Sequence, residues 1–185
     1  MLLKTEIGQK FKADISELAG QGKIRLTTLT GSHYGESGEG CIIQNGQYIY
    51  EGMFILLNEN QSIAELASSL IHETDHYRQI KRINQDIQAM TISIGQLEIS
   101  AFAVQYEFIK QLEALDLANK KTMFLKEHQI IFEMMAASYA AKAVRNKSSY
   151  RLAINKIVEY GYPLQELKRT LIVREANSCK GPAKL

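Results

Sequence analysis

Residues 87–106 restrict the fold of this chain more than any other stretch, because they are apolar and nearly free of charge. Twenty residues are enough for a helix to cross a bilayer. The stretch contains Glu98 and three glutamines, however, and an ionised carboxylate near the middle of a membrane span is costly. The sequence therefore predicts a helix buried in a protein core, extending over roughly 87–117, and not a membrane span.

The residues before position 62 predict one helix followed by a small sheet. Apolar residues at helical spacing predict a helix over 7–19. The dipeptide Asn45-Gly46 suits the two-residue turn of a hairpin. Short runs of apolar or β-branched residues predict strands at 23–30, 41–44, 47–50 and 53–57, with a glycine- and serine-rich loop at 31–40.

From residue 62 onward the pattern indicates helices. Ser62 and Glu65 form a capping-box pair, which predicts a helix from there to about Arg82. Further helices are expected over about 87–117, 122–144, 149–160 and 164–176, and a disordered tail over 177–185. We expect one α+β domain over 1–176, in which a small antiparallel sheet precedes a predominantly helical body.

Composition excludes several classes of partner. The net charge of +2 does not favour a nucleic acid or a membrane surface as a partner. Cys41 and Cys179 lack the spacing of a disulfide framework or a zinc knuckle, which favours a reducing compartment. The first residues carry no apolar run of the length a secretory signal needs. We expect a cytoplasmic protein, or one exported without such a signal; the oligomeric state stays open.

The segment from His72 to His76 carries the strongest chemical signal. His72 and His76 are four residues apart, so on a helix both imidazoles project from one side and can bind one Zn²⁺. Glu73 lies about 100° further round the helix, where it can reach a metal-bound water but not easily the metal itself. This arrangement predicts two metal ligands and a general base that takes a proton from the water.

A catalytic zinc usually has three protein ligands, and Glu98 is the predicted third. It is the only acidic or basic residue between Asp86 and Glu107, and a lone carboxylate in an apolar helix is expensive without a partner. A metal cation would be such a partner. Gly95 and Ala101, three residues to either side, are small, which predicts close approach of this helix to the histidine helix.

With these residues the sequence resembles the gluzincin group of zinc metallopeptidases. That group has a His-Glu-x-x-His helix and a glutamate ligand about twenty residues later, and Glu98-Ile99-Ser100-Ala101 resembles the Glu-x-x-Ala string of compact members. The resemblance covers 47–105 and implies a zincin-like fold that hydrolyses peptide bonds in proteins or peptides. It suggests a minimal bacterial domain of the kind found among secreted effectors. It also implies that strand 53–57 pairs with extended substrate.

The sequence departs from the resemblance at one supporting position. Some gluzincins have an aspartate four residues after the glutamate ligand, where this chain has Phe102, so Asp75 or Gln105 is expected to orient a histidine instead. The candidate for stabilising the oxyanion is Tyr139, which has alanine neighbours, but a core tyrosine with a satisfied hydroxyl is the more common situation for such a residue. Other candidates for this role are His33, Tyr34, Tyr77, Tyr106 and His128.

The same residues allow other interpretations, some without a metal and some with a different metal site. His72 and His76 could be polar residues on a solvated helix face, and Glu98 a carboxylate with a hydrogen-bond partner in the helical body. A metzincin would need a glycine and a third histidine where Gln79 and Arg82 stand. A di-iron bundle would need a second Glu-x-x-His, which the sequence lacks. The remaining alternative is a catalytically inactive metal-binding interaction domain with the same fold.

Overall fold

The computed structural model describes residues 1–29, 35–44, 47–85, 92–118, 146–168 and 170–171. In this part of the chain the fold is α+β, with a three-stranded sheet and a mostly helical body, as predicted. After a short 3₁₀ turn at Leu2–Lys4, the helices are α1 (Glu6–Gly20), α2 (Ile63–Gln85), α3 (Ile94–Ala114), α4 (Lys147–Tyr160) and α5 (Leu164–Lys168). The strands are β1 (Ile24–Thr27), β2 (Gly35–Gln44), β3 (Gln47–Asn58), β4 (Ile92–Ser93) and β5 (Thr170–Leu171).

The main sheet is mixed, so the prediction of an antiparallel sheet is wrong for one of its strands. The strand order is β1-β3-β2: β3 pairs antiparallel with β2 but parallel with β1. Because β3 inserts between the two earlier strands, β1 and β2 never pair with each other. Residue patterns within a strand indicate which face is buried, but they do not indicate which strand lies alongside, and this is why the error arose.

Strand β2 begins inside the stretch that was predicted to be a loop. Residues 35–40 pair with β3 from Leu57 back to Gly52, and the register shifts between Gly40 and Cys41. Gly52, opposite this shift, has a φ of 80°, which glycine adopts at little cost. Gly35, Gly38 and Gly40, which suggested a loop, therefore belong to an irregular strand. Gln44 pairs with Gln47 on either side of the predicted turn, whose residues 45–46 lie outside the described part.

Helix α2 packs on the sheet and on α1. Ala67 and Leu70 are buried, but Ile63, at the first position of the helix, is 74% exposed. The predicted capping box is present: the Ser62 amide donates to Glu65, and the Glu65 amide donates to Ser62 Oγ at 3.3 Å. These bonds pair amides that helix geometry leaves free, so they define where α2 begins.

Helix α3 starts later than predicted. Its first residue is Ile94, not a residue near 87, and a capping box of Ser93 and Gln96 precedes it. Residues 86–91 lie outside the described part, and 92–93 form β4, which pairs with β5. The predicted helix 164–176 ends at Lys168, because the chain then enters β5. The predicted helix 122–144 and tail 177–185 lie outside the described residues.

The contacts of α3 place it between α2 and the C-terminal helices. Residues late in α2 contact residues early in α3, so these two helices are antiparallel. Gly95 does not face α2 as predicted: a Cβ there would meet Ile154 at 2.4 Å and the Leu167 carbonyl at 3.1 Å. The small residue serves the packing of α3 against α4 and α5. None of the helices described here has the length and hydropathy of a membrane span.

Candidate metal centre

Helices α2 and α3 bring the three predicted ligands together. The Nε2 atoms of His72 and His76 lie 3.2 Å apart, and the Glu98 carboxylate lies 3.4 Å from the first and 3.5 Å from the second. One ligand atom from each residue falls within 4.8 Å of the others. All three residues are buried, with exposed fractions of 5%, 8% and 9%. The interpretation of the histidines as residues of a solvated helix face is therefore wrong.

The arrangement of donor atoms fits a cation. Glu98 Oε2 is buried and receives no hydrogen bond from the described residues. Each histidine has its Nδ1 atom within hydrogen-bond distance of a glutamine carbonyl oxygen, so Nδ1 carries the proton and Nε2 faces its neighbours. Two ring nitrogens and a carboxylate oxygen thus converge where no protein donor lies between them. A buried group of this kind can hold a divalent metal ion.

A proton balances the charge of Glu98 in the metal-free protein. Burial alone would lower the pKa of His76, but attraction to Glu98 and, to a lesser degree, to Glu73 and Asp75 raises the pKa of His76 to about 9. Burial alone would raise the pKa of Glu98, but His76 and His72 hold the pKa of Glu98 well below its ordinary range. The site therefore binds positive charge even without a metal.

Each imidazole is also held from behind by a glutamine. The Gln105 carbonyl oxygen lies 3.1 Å from His72 Nδ1, which confirms Gln105 as a residue that orients a histidine. Gln79 occupies the same place at His76, at 3.3 Å, and Asp75 accepts a hydrogen bond from Gln79. The hydrogen-bonded support that Asp75 gives to His76 therefore runs through Gln79. The supporting role of Gln79 was missed, although its position three residues after His76 on the same helix could have indicated it.

Glu73 lies close to the cluster of His72, His76 and Glu98 but is not part of it. It is buried, with an exposed fraction of 7%, and its carboxylate faces the first residue of β2. A Cβ added to Gly35 would lie 3.0 Å from both Cγ and Oε1 of Glu73. The absence of a side chain at Gly35 therefore leaves room for this carboxylate next to the start of β2.

The described residues contain no confirmed oxyanion stabiliser. Tyr139, His128, His33 and Tyr34 lie outside the described part of the chain. Tyr77 is not at the site, because its hydroxyl donates to Glu17 of α1. The ring of Tyr106 packs in the cluster around Phe102 and lies 5.5 Å from the Lys110 ammonium.

The strand expected to pair with substrate is the wrong one. Residues 55–57 of β3 pair with β1 on one side and with β2 on the other, so an added strand has no access to them. Among the described strands the sheet edges belong to β1 and β2. Of these, β2 is the one whose first residue contacts Glu73.

Comparison with family models, curated proteins and solved structures found no match to this chain. The gluzincin interpretation therefore rests on the residues and geometry of this chain alone.

The charge balance of the site leads to a prediction about pH. Because the pKa of His76 is raised from 6.5 to about 9, its protonated ring stabilises the metal-free fold fully below pH 6.5 and loses that effect as the pH rises through 9. Metal binding requires the neutral ring. Between pH 6.5 and 9, thermal unfolding should show the metal-free protein losing stability by a few kcal/mol while metal affinity increases. A metal-free stability that stays constant over this interval contradicts the assignment.

Proposed function

We propose that this chain is a zinc-dependent metallopeptidase of gluzincin type, with His72, His76 and Glu98 as ligands and Glu73 as the general base. The observation that carries the proposal is the buried cluster of two imidazole nitrogens and a carboxylate oxygen without a hydrogen-bond donor, with a second carboxylate next to it on α2. A structural ion pair would account for Glu98 and the histidines. It would not account for Glu73, which is buried at the same place.

In peptide hydrolysis, Glu73 would act together with a metal ion held by the other three residues. A bound Zn²⁺ would polarise the substrate carbonyl and make a water molecule acidic. Glu73 would accept the proton of that water and then donate it to the amine that leaves when the peptide bond breaks. The position of Glu73 suits this role, because its buried carboxylate is close enough to His76 to raise the pKa of that ring and occupies space that a side chain at position 35 would contest.

The edge of β2 is the best-placed surface for an extended peptide. Its outer side has no strand partner among the described residues, and its first residue, Gly35, contacts Glu73. An extended peptide that adds to this edge as a further strand would run past the general base. The proposal therefore names an unfolded or loop segment of a protein, and not a single amino acid, as the substrate.

One observation favours the second candidate, a metal-binding interaction domain without turnover. Both histidines, Glu98 and Glu73 are all buried, and a catalytic site must admit its substrate. Such a domain would keep the metal as a structural connection between α2 and α3. In that case Glu73 would have no chemical role.

Metal removal separates the two functions. We expect the purified protein to contain one zinc ion per chain, measured by mass spectrometry, and to cleave a denatured protein mixture. A chelator should abolish cleavage, and added Zn²⁺ should restore it. Zinc at one ion per chain without any cleavage would favour the interaction domain, and cleavage that survives complete removal of metal would overturn both proposals.

A further inference from the structure

Two glutamines hold the histidines from the side opposite to Glu98. Gln105, on α3, has its carbonyl oxygen 3.1 Å from His72 Nδ1, while Gln79, on α2, has its carbonyl oxygen 3.3 Å from His76 Nδ1. Carboxylates and backbone carbonyls are common at this position behind a metal-bound histidine. Here both partners are neutral amides. Whether the partner of Nδ1 is an amide or a carboxylate affects metal binding, because that partner tunes how strongly Nε2 donates its electron pair to a metal.

The orientation of Gln79 follows from its second partner. Asp75 is acceptor-only when ionised, and the NH₂ group of Gln79 donates to its carboxylate. The amide oxygen of Gln79 must then face His76, and an amide oxygen can only accept. His76 therefore carries a proton on Nδ1 and directs Nε2 toward Glu98. Asp75 is held in turn by the Ser100 hydroxyl, at 3.3 Å.

Gln105 is held in the same way at the other histidine. Its NH₂ group donates to the Ser68 hydroxyl at 2.9 Å, and both residues are buried. Its carbonyl oxygen consequently faces His72, which directs Nε2 toward Glu98 at 3.4 Å. The two glutamines thus impose the same tautomer on both rings.

The same bonds join α2 to α3 on both sides of Glu98. Gln79 donates to the Leu97 carbonyl at 3.4 Å, and Ser100 donates to Asp75, so contacts exist immediately before and two residues after the acidic ligand. Gln105 and Ser68 join the helices further along. The glutamines therefore position the rings and, with their partners, the helix that carries the third ligand.

We propose that Gln79 and Gln105 are positioning residues of the metal centre, one for each histidine, and that they hold metal affinity below the level a carboxylate partner would produce. This inference rests on the metal binding of the proposed function and is independent of whether peptides are hydrolysed. If these residues had a merely structural role, every substitution there would weaken Zn²⁺ binding. A positioning amide should instead give opposite changes when it is replaced by an apolar side chain and by a carboxylate.

The test measures Zn²⁺ affinity by competition with a chromophoric chelator. Gln105→Met and Gln79→Met, which nearly conserve volume, should each weaken binding about 10- to 100-fold. Gln105→Glu keeps an acceptor toward His72 and can accept from Ser68, so it should bind Zn²⁺ more tightly than the wild type. Gln61→Met is the matched control, because Gln61 donates to Ser69 in the same manner at 2.9 Å, and it should change affinity less than about twofold.

The absorption spectrum of the Co²⁺ form provides a second readout, since it reports ligand geometry. It should change in both methionine variants at the glutamine positions and remain unchanged in Gln61→Met. Wild-type affinity in both variants, equal weakening in the control, or a Gln105→Glu affinity as low as that of Gln105→Met would overturn the inference. If circular dichroism shows that the methionine variants do not fold, the affinity of Gln105→Glu decides alone. Weaker Zn²⁺ binding by that variant than by the wild type would overturn the inference. A wild type that binds no Zn²⁺ would instead overturn the proposed function.

Discussion

Glu73→Gln is expected to reduce peptide cleavage by about three orders of magnitude while zinc stays bound. The amide has nearly the shape of the carboxylate but cannot accept the proton from the attacking water. Metal binding should persist, because the proposed ligands are His72, His76 and Glu98, and all three are unchanged in this variant. The measurement pairs the rate of cleavage with the zinc content of the same sample. Glu107→Gln is a suitable control, since that carboxylate is partly exposed and pairs with Lys110 at the surface.

Gly35→Ala tests the same carboxylate without changing it. The added methyl group would lie 3.0 Å from two atoms of Glu73, so the carboxylate must move by a few tenths of an ångström. Small displacements of a catalytic group are costly, and we expect a loss of roughly 10- to 100-fold in cleavage with zinc still bound. If Glu73→Gln cleaves as fast as the wild type, the mechanism is wrong, whatever the effect at Gly35.

Glu98→Gln is expected to weaken Zn²⁺ binding by more than about 100-fold, because removing a ligand costs more than removing an outer hydrogen-bond partner. The variant also removes the negative charge that is the main cause of the raised pKa of His76. That ring should then lose its proton at a lower pH, which an NMR titration of the histidines would detect. The pH dependence of metal-free stability should flatten in parallel.

A conservative change at position 98 separates the effect of the negative charge from the effect of the side-chain length. Glu98→Asp keeps the negative charge but shortens the side chain, so the raised pKa of His76 should be partly retained while zinc affinity falls. Equal zinc affinity in Glu98→Gln and the wild type would show that position 98 is not a ligand. It would leave a two-histidine site, for which the described residues offer no third donor within 4.8 Å.

The parts of the centre that lie on one helix could be predicted from the sequence. Helix geometry alone places residues four apart on the same side, so the side chains of His72 and His76 lie next to each other once α2 forms. The capping pair Ser62 and Glu65 marked the start of that helix correctly. A single acid in an apolar stretch also indicated that Glu98 has a buried partner, because an isolated buried charge is too costly.

Gln79 shows where prediction from sequence became incomplete. Its spacing of three residues places it beside His76 on α2, but spacing alone does not distinguish a supporting amide from one that faces solvent. Its role depends on Asp75 and on the Leu97 carbonyl of α3 lying within reach. Gln105 was one of two residues expected to orient a histidine, and its contact with Ser68, which orients the amide, was not expected.

Local spacing thus placed His72 and His76 together on α2, and the cost of a lone buried charge pointed to Glu98 as the third member of the cluster. Only the tertiary structure decided that β3 lies between β1 and β2, that Gly35 borders Glu73, and that Gly95 packs against α4 and α5 instead of α2. The physical reason is that helix geometry is set by neighbours within four residues, whereas strand order and helix packing depend on surfaces that are remote in sequence and compete for the same partners.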